Sequence, residues 1–342
     1  MGAADIVPGV SGGTIAFITG IYFRLLEAIN AVPGAVFHDL IRGRFSRFWH
    51  ACDGTFLVAL LAGVLTSIAT LASGISYMLV AYPILIWSFF FGLIVASVWH
   101  VGRQVRHYKP ALLVPLLFGI VIAWWITTLS ASEVAPSTLA FFGAGALAIC
   151  AMILPGISGS FILVIIGMYA PVLAAIKSLD AGILLLFMAG CVVGLLSIAR
   201  LITWAFHHFH DLVLALLTGF MIGALNKVWP WKETLSWRIN SSGEQVPLNE
   251  TSIWPSTFAE QAGQDPQVLF ALLMAAAGFA LVLLVEWLGS RHGEVAPSRR
   301  FEATVCEECY LTHKTDVSGG NKGGRLVTWL REKNVQYISK LL

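Results

Sequence analysis

Six uninterrupted apolar runs divide the chain into segments that each match the length of a transmembrane helix. A helix needs about 20 apolar residues to cross the roughly 30 Å hydrocarbon core of a bilayer. Charged and polar residues gather between the runs, as expected for loops at the membrane surfaces. The pattern predicts membrane spans at residues 56–74, 80–99, 111–130, 183–206, 210–229 and 268–289.

Two further apolar stretches, 5–29 and 138–176, are each interrupted by the polar motif Pro-Gly-x-Ser-Gly. Irregular backbone cannot face lipid, but broken helices are tolerated where they line a buried or water-filled cavity. We therefore expect each stretch to form a re-entrant hairpin, in which two half-helices meet at the glycines. An ordinary span that is kinked at its proline and glycine is the alternative.

The two interrupted stretches are similar beyond the motif itself. "DIVPGVSGGTIAFITGIY" begins at Asp5, "MILPGISGSFILVIIGMY" begins at Met152, and three apolar runs follow each of them. Because three crossings are an odd number, the second copy would lie upside down relative to the first. The glycine tips of the two hairpins would then approach each other near the middle of the membrane. The sequence thus predicts an all-α polytopic membrane protein of two inverted repeats, each a re-entrant helical hairpin plus three transmembrane helices. Repeat one spans 1–130 and repeat two spans 137–290.

The distribution of positive charge predicts the orientation, because cytoplasmic loops carry an excess of lysine and arginine. We expect both termini in the cytoplasm, an outward-facing loop insert at 230–267 and a polar cytoplasmic tail at 293–342. The cytoplasmic side would carry Arg42, Arg44, Arg47, Arg103, Arg106, Lys109, Arg291, Arg299 and Arg300.

The two repeats differ at their starts. Repeat two has a half-helix before its motif, whereas repeat one begins shortly before Pro8, so we expect an upstream segment to be missing.

The composition agrees with a membrane protein and narrows the range of functions. The chain is 57% hydrophobic and 12% charged, whereas soluble domains have about 25% charged residues. Its net charge of +2 gives no indication of nucleic-acid binding. We expect no cofactor and no metal site; Cys306, Cys309 and His313 resemble half a zinc site without an evident fourth ligand.

The repeated motif has the chemistry of an anion site. The N-terminus of a helix offers free N–H groups and a partial positive charge, and glycines let the backbone approach a ligand closely. The alternative is that these small residues only permit tight helix packing. The candidate phosphate-binding residues of the motifs are Gly9, Ser11, Gly12, Gly13 and Thr14 in the first, and Gly156, Ser158, Gly159 and Ser160 in the second.

Charged residues within the apolar regions are few, and each is a candidate for function. Arg200 lies within the run 183–206, where it would bind phosphate from a cavity or extend to the membrane interface. Asp5 precedes the first motif, where it would bind a coupling proton or Na⁺, or cap the following half-helix.

Residues 1–29 and 152–176 resemble the bacterial and archaeal polyprenyl-phosphate (undecaprenyl phosphate) transporter family of the PopT type, formerly a domain of unknown function. The order of the spans agrees with this family over about 1–290. The resemblance implies a flippase in the cytoplasmic membrane that returns undecaprenyl phosphate from the outer to the cytoplasmic leaflet. The carrier lipid would then be reused for peptidoglycan and other envelope polymers. Proton or sodium coupling is compatible with the resemblance, and the oligomeric state is not indicated.

The physics of the substrate fits this expectation. A bare phosphate pays a prohibitive desolvation cost in hydrocarbon, so a transporter must shield the head group while the prenyl tail stays in lipid. A transporter of a small soluble anion would use the same motifs and is the alternative function. We do not expect an enzyme, because the sequence shows no nucleophile with a matching base and no paired His/Asp constellation.

Overall fold

The structure is a computed structural model that describes residues 1–2, 11–105, 107, 109–129, 137–239 and 245–291. Within these residues the chain forms twelve α-helices and one two-stranded antiparallel sheet. The predicted tail at 293–342, and the candidate site residues Asp5 and Gly9, lie outside the described residues.

The part of the chain up to residue 129 contains six of these α-helices, and short π-helical and 3₁₀ segments extend two of them. The π segment, Val36–Leu40, continues the second helix, and the 3₁₀ segment, Pro110–Leu112, leads into the sixth. The helices are α1 (Gly12–Ile18), α2 (Tyr22–Ala35), α3 (Phe45–Ala51), α4 (Gly54–Ala81), α5 (Pro83–Gly102) and α6 (Leu113–Thr128).

The second part of the described chain contains six further α-helices and a β-hairpin. Its helices are α7 (Thr138–Ile153), α8 (Gly159–Ile165), α9 (Tyr169–Ser178), α10 (Ala181–Ala224), α11 (Pro255–Ala262) and α12 (Val268–Arg291). The hairpin consists of β1 (Lys232–Ile239) and β2 (Gln245–Ser252).

Five helical segments of the described chain are long and apolar enough to cross a membrane: α4, α5, α6 with its preceding 3₁₀ turn, α10 and α12. They match the predicted runs, and they identify a multi-pass membrane protein. Two predicted runs, 183–206 and 210–229, fall on the two parts of α10. Phe209 separates these parts: its φ of −138° and ψ of 47° are not helical, so α10 consists of two helices that meet at a kink.

Each motif is followed by the same sharp bend. The axes of α1 and α2 differ by 115°, and those of α8 and α9 by 107°. Gly20 (φ 74°) and Gly167 (φ 72°) end the first helix of each pair in a left-handed conformation that glycine adopts without strain. The amide of the next residue then bonds back five residues, from Ile21 to Ala16 and from Met168 to Leu163.

Two crossings of long helices share one steric pattern. At the crossing of α5 with α12, a side chain on Gly92 would collide with the carbonyl of Ala275, and one on Gly278 with that of Phe89. At the crossing of α6 with α10, Gly119 faces Leu216 and Gly219 faces Leu116 in the same way. Each glycine thus meets the carbonyl three residues before its partner glycine. Such small-residue contacts let backbones approach closely in membranes.

The described part of the predicted loop insert at 230–267 contains secondary structure that was not expected. Strands β1 and β2 pair in antiparallel fashion from Lys232 with Ser252 to Ile239 with Gln245, with irregular register near Ser236. Helix α11 follows the hairpin. The prediction of an all-α protein is therefore incomplete, because this segment contains a β-hairpin. Its polar residues and Pro247 are typical of a loop. A two-stranded sheet nevertheless tolerates proline, because both of its strands are edge strands.

Candidate functional site

The two Pro-Gly-x-Ser-Gly motifs meet in space. The Ser11 hydroxyl, just before α1, donates to the carbonyl of Met152 at 3.1 Å, and the Leu154 carbonyl lies 3.3 Å from it. In the other direction, the backbone N–H of Gly156 donates to the Thr14 hydroxyl at 3.0 Å. The start of α1 therefore contacts the turn that joins α7 to α8, as the sequence predicted for convergent motifs.

Glycine makes this contact possible at two positions. A Cβ on Gly13 would lie 2.6 Å from the carbonyl oxygen of Ile153, closer than any real side chain could. Gly156 turns the chain between α7 and α8 with φ 88°, a conformation that side chains with a Cβ rarely adopt. Both motif glycines are therefore required for the close approach of the two segments.

Most of the candidate residues within the described chain are buried at this contact. Ser11 and Thr14 are 1% exposed and Ser158 is 6% exposed, and Ser158 shares a 3.0 Å hydrogen bond with the exposed Ser160. The remaining buried members are Gly12, Gly13, Gly156 and Gly159.

The Ser11 hydroxyl of the first motif is already engaged within the protein. Ser11 caps α1 by accepting the N–H of Gly13 at 3.1 Å, while its own hydroxyl hydrogen is directed to the second motif. Helices α1 and α8 have seven residues each, so few peptide dipoles add up at their N-termini. The contact supplies a compact polar surface but little positive charge, which has to come from a side chain.

Lys227 provides a positive charge beside the second motif. It follows α10 and lines a narrow cavity together with Gly156, Ser158 and Phe161. Its ammonium lies 4.9 Å from the centre of the Phe161 ring and 3.4 Å from a carboxylate oxygen of Glu250. The cavity has a volume of about 10 Å³, room for about one water, so a phosphate needs the surrounding segments to move.

Lys227 is not among the site residues predicted from the sequence. It lies near the end of a predicted span, where lysine commonly extends toward the interface. Its position in the sequence was the available indication. Lys227 follows the end of an apolar helix by a single turn, in which its N–H bonds to the carbonyl of the buried Ala224.

The structure does not bring Arg200 to the motif contact. Arg200 is exposed on α10, next to the fully buried Ala199. The neighbouring polar contact of the helix is made by Asn30, whose amide donates to Thr203 at 2.8 Å and to the Ala199 carbonyl at 3.3 Å. Arg200 therefore faces away from the protein interior.

Residues 1–246 match the family described as undecaprenyl phosphate translocase-like. This region includes both motifs. The chain belongs to this family. The resemblance seen in the sequence motifs is thereby confirmed, and the family is named for transport rather than for a chemical reaction.

Two polyprenyl-phosphate transporters are similar to this chain over most of their own length. A polyprenyl-phosphate transporter of Vibrio cholerae is 53% identical over 287 residues, covering 84% of this chain and 93% of the relative. A polyprenyl-phosphate transporter of Staphylococcus aureus is 34% identical over 250 residues, covering 67% of this chain and 83% of the relative. No solved structure matches the chain.

Proposed function

We propose that the protein transports polyprenyl phosphate, returning undecaprenyl phosphate from the outer to the cytoplasmic leaflet so that the carrier is reused for peptidoglycan and other envelope polymers. The single observation that carries the proposal is the contact between the two motifs, where Thr14 accepts the N–H of Gly156. The names of the two relatives support the substrate, since both are polyprenyl-phosphate transporters.

The architecture we propose is that of two inverted repeats, each with a re-entrant hairpin. The bends at Gly20 and Gly167 are matched in angle and in hydrogen bonding. The glycine crossings support the same relationship, because the second span of each repeat packs against the third span of the other with the same offset. Helix α8 returns along α7, where a Cβ on Gly159 would collide with the Ala148 carbonyl.

In this proposal the motif contact is the closed state of the phosphate site. The hydroxyls of Ser11 and Thr14 now bond to the opposite motif. When the motifs separate, these groups and the N–H of Gly156 need new partners, and phosphate oxygens supply them. Inverted repeats permit this opening toward either leaflet in turn. Gly9, Gly12, Gly13, Ser158, Gly159 and Ser160 complete the proposed site.

Two charged residues outside the Pro-Gly-x-Ser-Gly sequences also have proposed roles. Arg200 is exposed on α10, an apolar helix of membrane-spanning length. There its guanidinium would bind the lipid phosphate before the head group enters the site between the motifs. Asp5 would bind the coupling proton or sodium ion. The orientation we propose places both termini in the cytoplasm and the β-hairpin outside, in the cytoplasmic membrane of a bacterium or archaeon.

Reconstitution of the full chain in vesicles that contain undecaprenyl phosphate tests the proposal. A membrane-impermeant phosphatase added outside hydrolyses head groups of the outer leaflet only. With the protein present, we expect the inner pool to become accessible as well, and the rate to respond to a proton or sodium gradient.

Protein-free vesicles give the background of this assay. Accessibility that stays at this background in protein-containing vesicles would overturn the proposal. A parallel arm measures the uptake of inorganic phosphate; uptake without lipid movement would favour the transport of a small soluble anion instead.

A further inference from the structure

Two lysines share one carboxylate next to the second motif. The ammonium of Lys227 lies 3.4 Å, and that of Lys232 3.5 Å, from the same oxygen, Oε2, of Glu250. Lys227 follows α10, Lys232 begins β1 and Glu250 lies on β2. We call these three residues the lysine cluster. It holds one more positive than negative charge when all three groups are ionised.

The lysine cluster is sheltered from solvent. The side chains of Lys227, Lys232 and Glu250 are 15%, 8% and 20% exposed. Burial lowers the pKa of Lys232 to about 8, while the nearby Glu250 opposes this effect. The Lys232 ammonium also lies 3.6 Å from the centre of the Trp87 ring, an attractive cation–π contact. A buried positive charge without a full complement of negative charge is costly, and an anion would relieve that cost.

The position of Lys227 connects the cluster to the proposed site. Lys227 lines the same narrow cavity as Gly156 and Ser158 of the second motif. A negative group held by the two lysines would therefore be next to the motif that the proposed mechanism opens. The cluster therefore links the β-hairpin, which carries Lys232 and Glu250, to the cavity beside the second motif.

Glu250 is held by the lysines, whereas the hairpin is anchored independently. The Ser252 hydroxyl is within 3.1 Å of the backbone carbonyl and 3.0 Å of the side-chain oxygen of Asn226. The Trp229 indole donates to the carbonyl of Ile253 at 2.8 Å. The carboxylate of Glu250 can therefore leave the lysines without detaching the base of the hairpin.

We propose that Lys227 and Lys232 are a receiving site for the phosphate head group, and that Glu250 occupies this site until the head group displaces it. The identity of the ligand as a lipid phosphate rests on the proposed function. A phosphate monoester carries nearly two negative charges and three acceptor oxygens near neutral pH, whereas Glu250 offers one charge and two oxygens. When the phosphate replaces Glu250, its two negative charges balance the two ammonium charges. Glu250 returns to the lysines after the phosphate is released.

A purely structural ion pair predicts the opposite effect for one variant. If Glu250 only fastened the hairpin, its replacement would loosen the site and weaken ligand binding. If Glu250 competes with the head group, the Glu250→Gln variant binds the head group more tightly than the wild type does. The Lys227→Met variant weakens binding under the proposal, because it removes half of the cationic site.

The dissociation constant of farnesyl phosphate for the full chain in detergent measures these effects, with farnesol as the uncharged comparison. We expect Lys227→Met to raise the constant by about tenfold or more, since loss of one partner from a buried charge pair costs at least ~1.4 kcal/mol. We expect Glu250→Gln to lower it by about threefold or more. The matched controls are Lys177→Met and Glu233→Gln, which replace exposed residues outside the cluster.

The outcomes separate this inference from the proposed function. Equal binding of farnesyl phosphate and farnesol by the wild type would contradict the proposed function. Selective binding of the phosphate that neither Lys227→Met nor Glu250→Gln alters would overturn the receiving site alone. Weaker binding by Glu250→Gln would assign Glu250 a structural role and overturn its competition with the ligand. If Lys227→Met does not fold, as judged by its thermal unfolding, Lys232→Met is measured with the same expectation.

Discussion

Thr14 and Gly156 are 142 residues apart in the chain, yet the backbone N–H of Gly156 donates a 3.0 Å hydrogen bond to the Thr14 hydroxyl. Both residues are buried, so if this bond breaks, water does not readily replace the partner that each group loses. The bond joins two segments that carry the same motif. We interpret it as the closed contact of a phosphate site shared between two repeats.

The Gly13→Ala variant tests whether transport needs the close approach of the motifs. The new methyl group would lie 2.6 Å from the Ile153 carbonyl, and overpacking of this kind costs about 1–3 kcal/mol. We expect reduced thermal stability and strongly reduced leaflet exchange. Gly34→Ala is the matched control, because nothing lies within 4 Å of its added methyl group; equal activity of the two variants would contradict a role for the approach.

The glycine crossings predict equal behaviour at matched positions of the two proposed repeats. Gly92→Ala and Gly219→Ala each place a methyl group against a backbone carbonyl of the partner helix. We expect both to lower the midpoint of thermal unfolding in detergent by similar amounts, equivalent to about 1–3 kcal/mol.

Gly63→Ala serves as the control for these crossings, since it meets no neighbouring atom on α4 and alanine favours helix. A large loss of stability at one crossing and none at the other would argue against equivalent packing in the two repeats.

The lowered pKa of Lys232 predicts a pH dependence of ligand binding. Burial brings this pKa down to about 8, so the ammonium loses its charge as the pH rises through this value, well below the range of an exposed lysine. Glu250 and Lys227 are the charged groups that face it. A phosphate monoester is already doubly ionised above its second pKa of about 6, so its charge changes little over this range.

We therefore expect the dissociation constant of farnesyl phosphate to rise between pH 7 and pH 9, and the Lys232→Met variant to lose most of this rise. The measurement is a titration of binding at each pH, with Lys177→Met as the control. An unchanged constant across this interval in the wild type would show that the charge of Lys232 does not contribute.

The order of spans and the meeting of the motifs followed from local patterns. Apolar length predicted α4, α5, α6 and α12, and the repeated Pro-Gly-x-Ser-Gly motif predicted that its two copies lie close together. These features depend on hydrophobic length and on a duplication that is visible in the residues themselves.

The partners of individual polar groups could not be predicted in the same way. The motif hydroxyls were candidates for binding phosphate, whereas the Thr14 hydroxyl accepts the N–H of Gly156. This bond could not be predicted because it depends on packing between distant segments. Lys227 was missed because a lysine at the end of a span is usually interfacial. Its approach to Gly156 and Glu250 results from the hairpin and from the turn after α10.

Replacement of Thr14 tests the central claim most directly, with transport measured as leaflet-resolved accessibility of undecaprenyl phosphate in reconstituted vesicles. Thr14→Val leaves the Gly156 N–H buried without its acceptor, at a cost of about 1–3 kcal/mol, and removes a proposed phosphate ligand. Thr14→Ser keeps the hydroxyl, and Thr70→Val removes one that bonds only within its own helix. We predict that Thr14→Val abolishes exchange while Thr14→Ser and Thr70→Val retain it; wild-type exchange by a folded Thr14→Val protein would contradict the account.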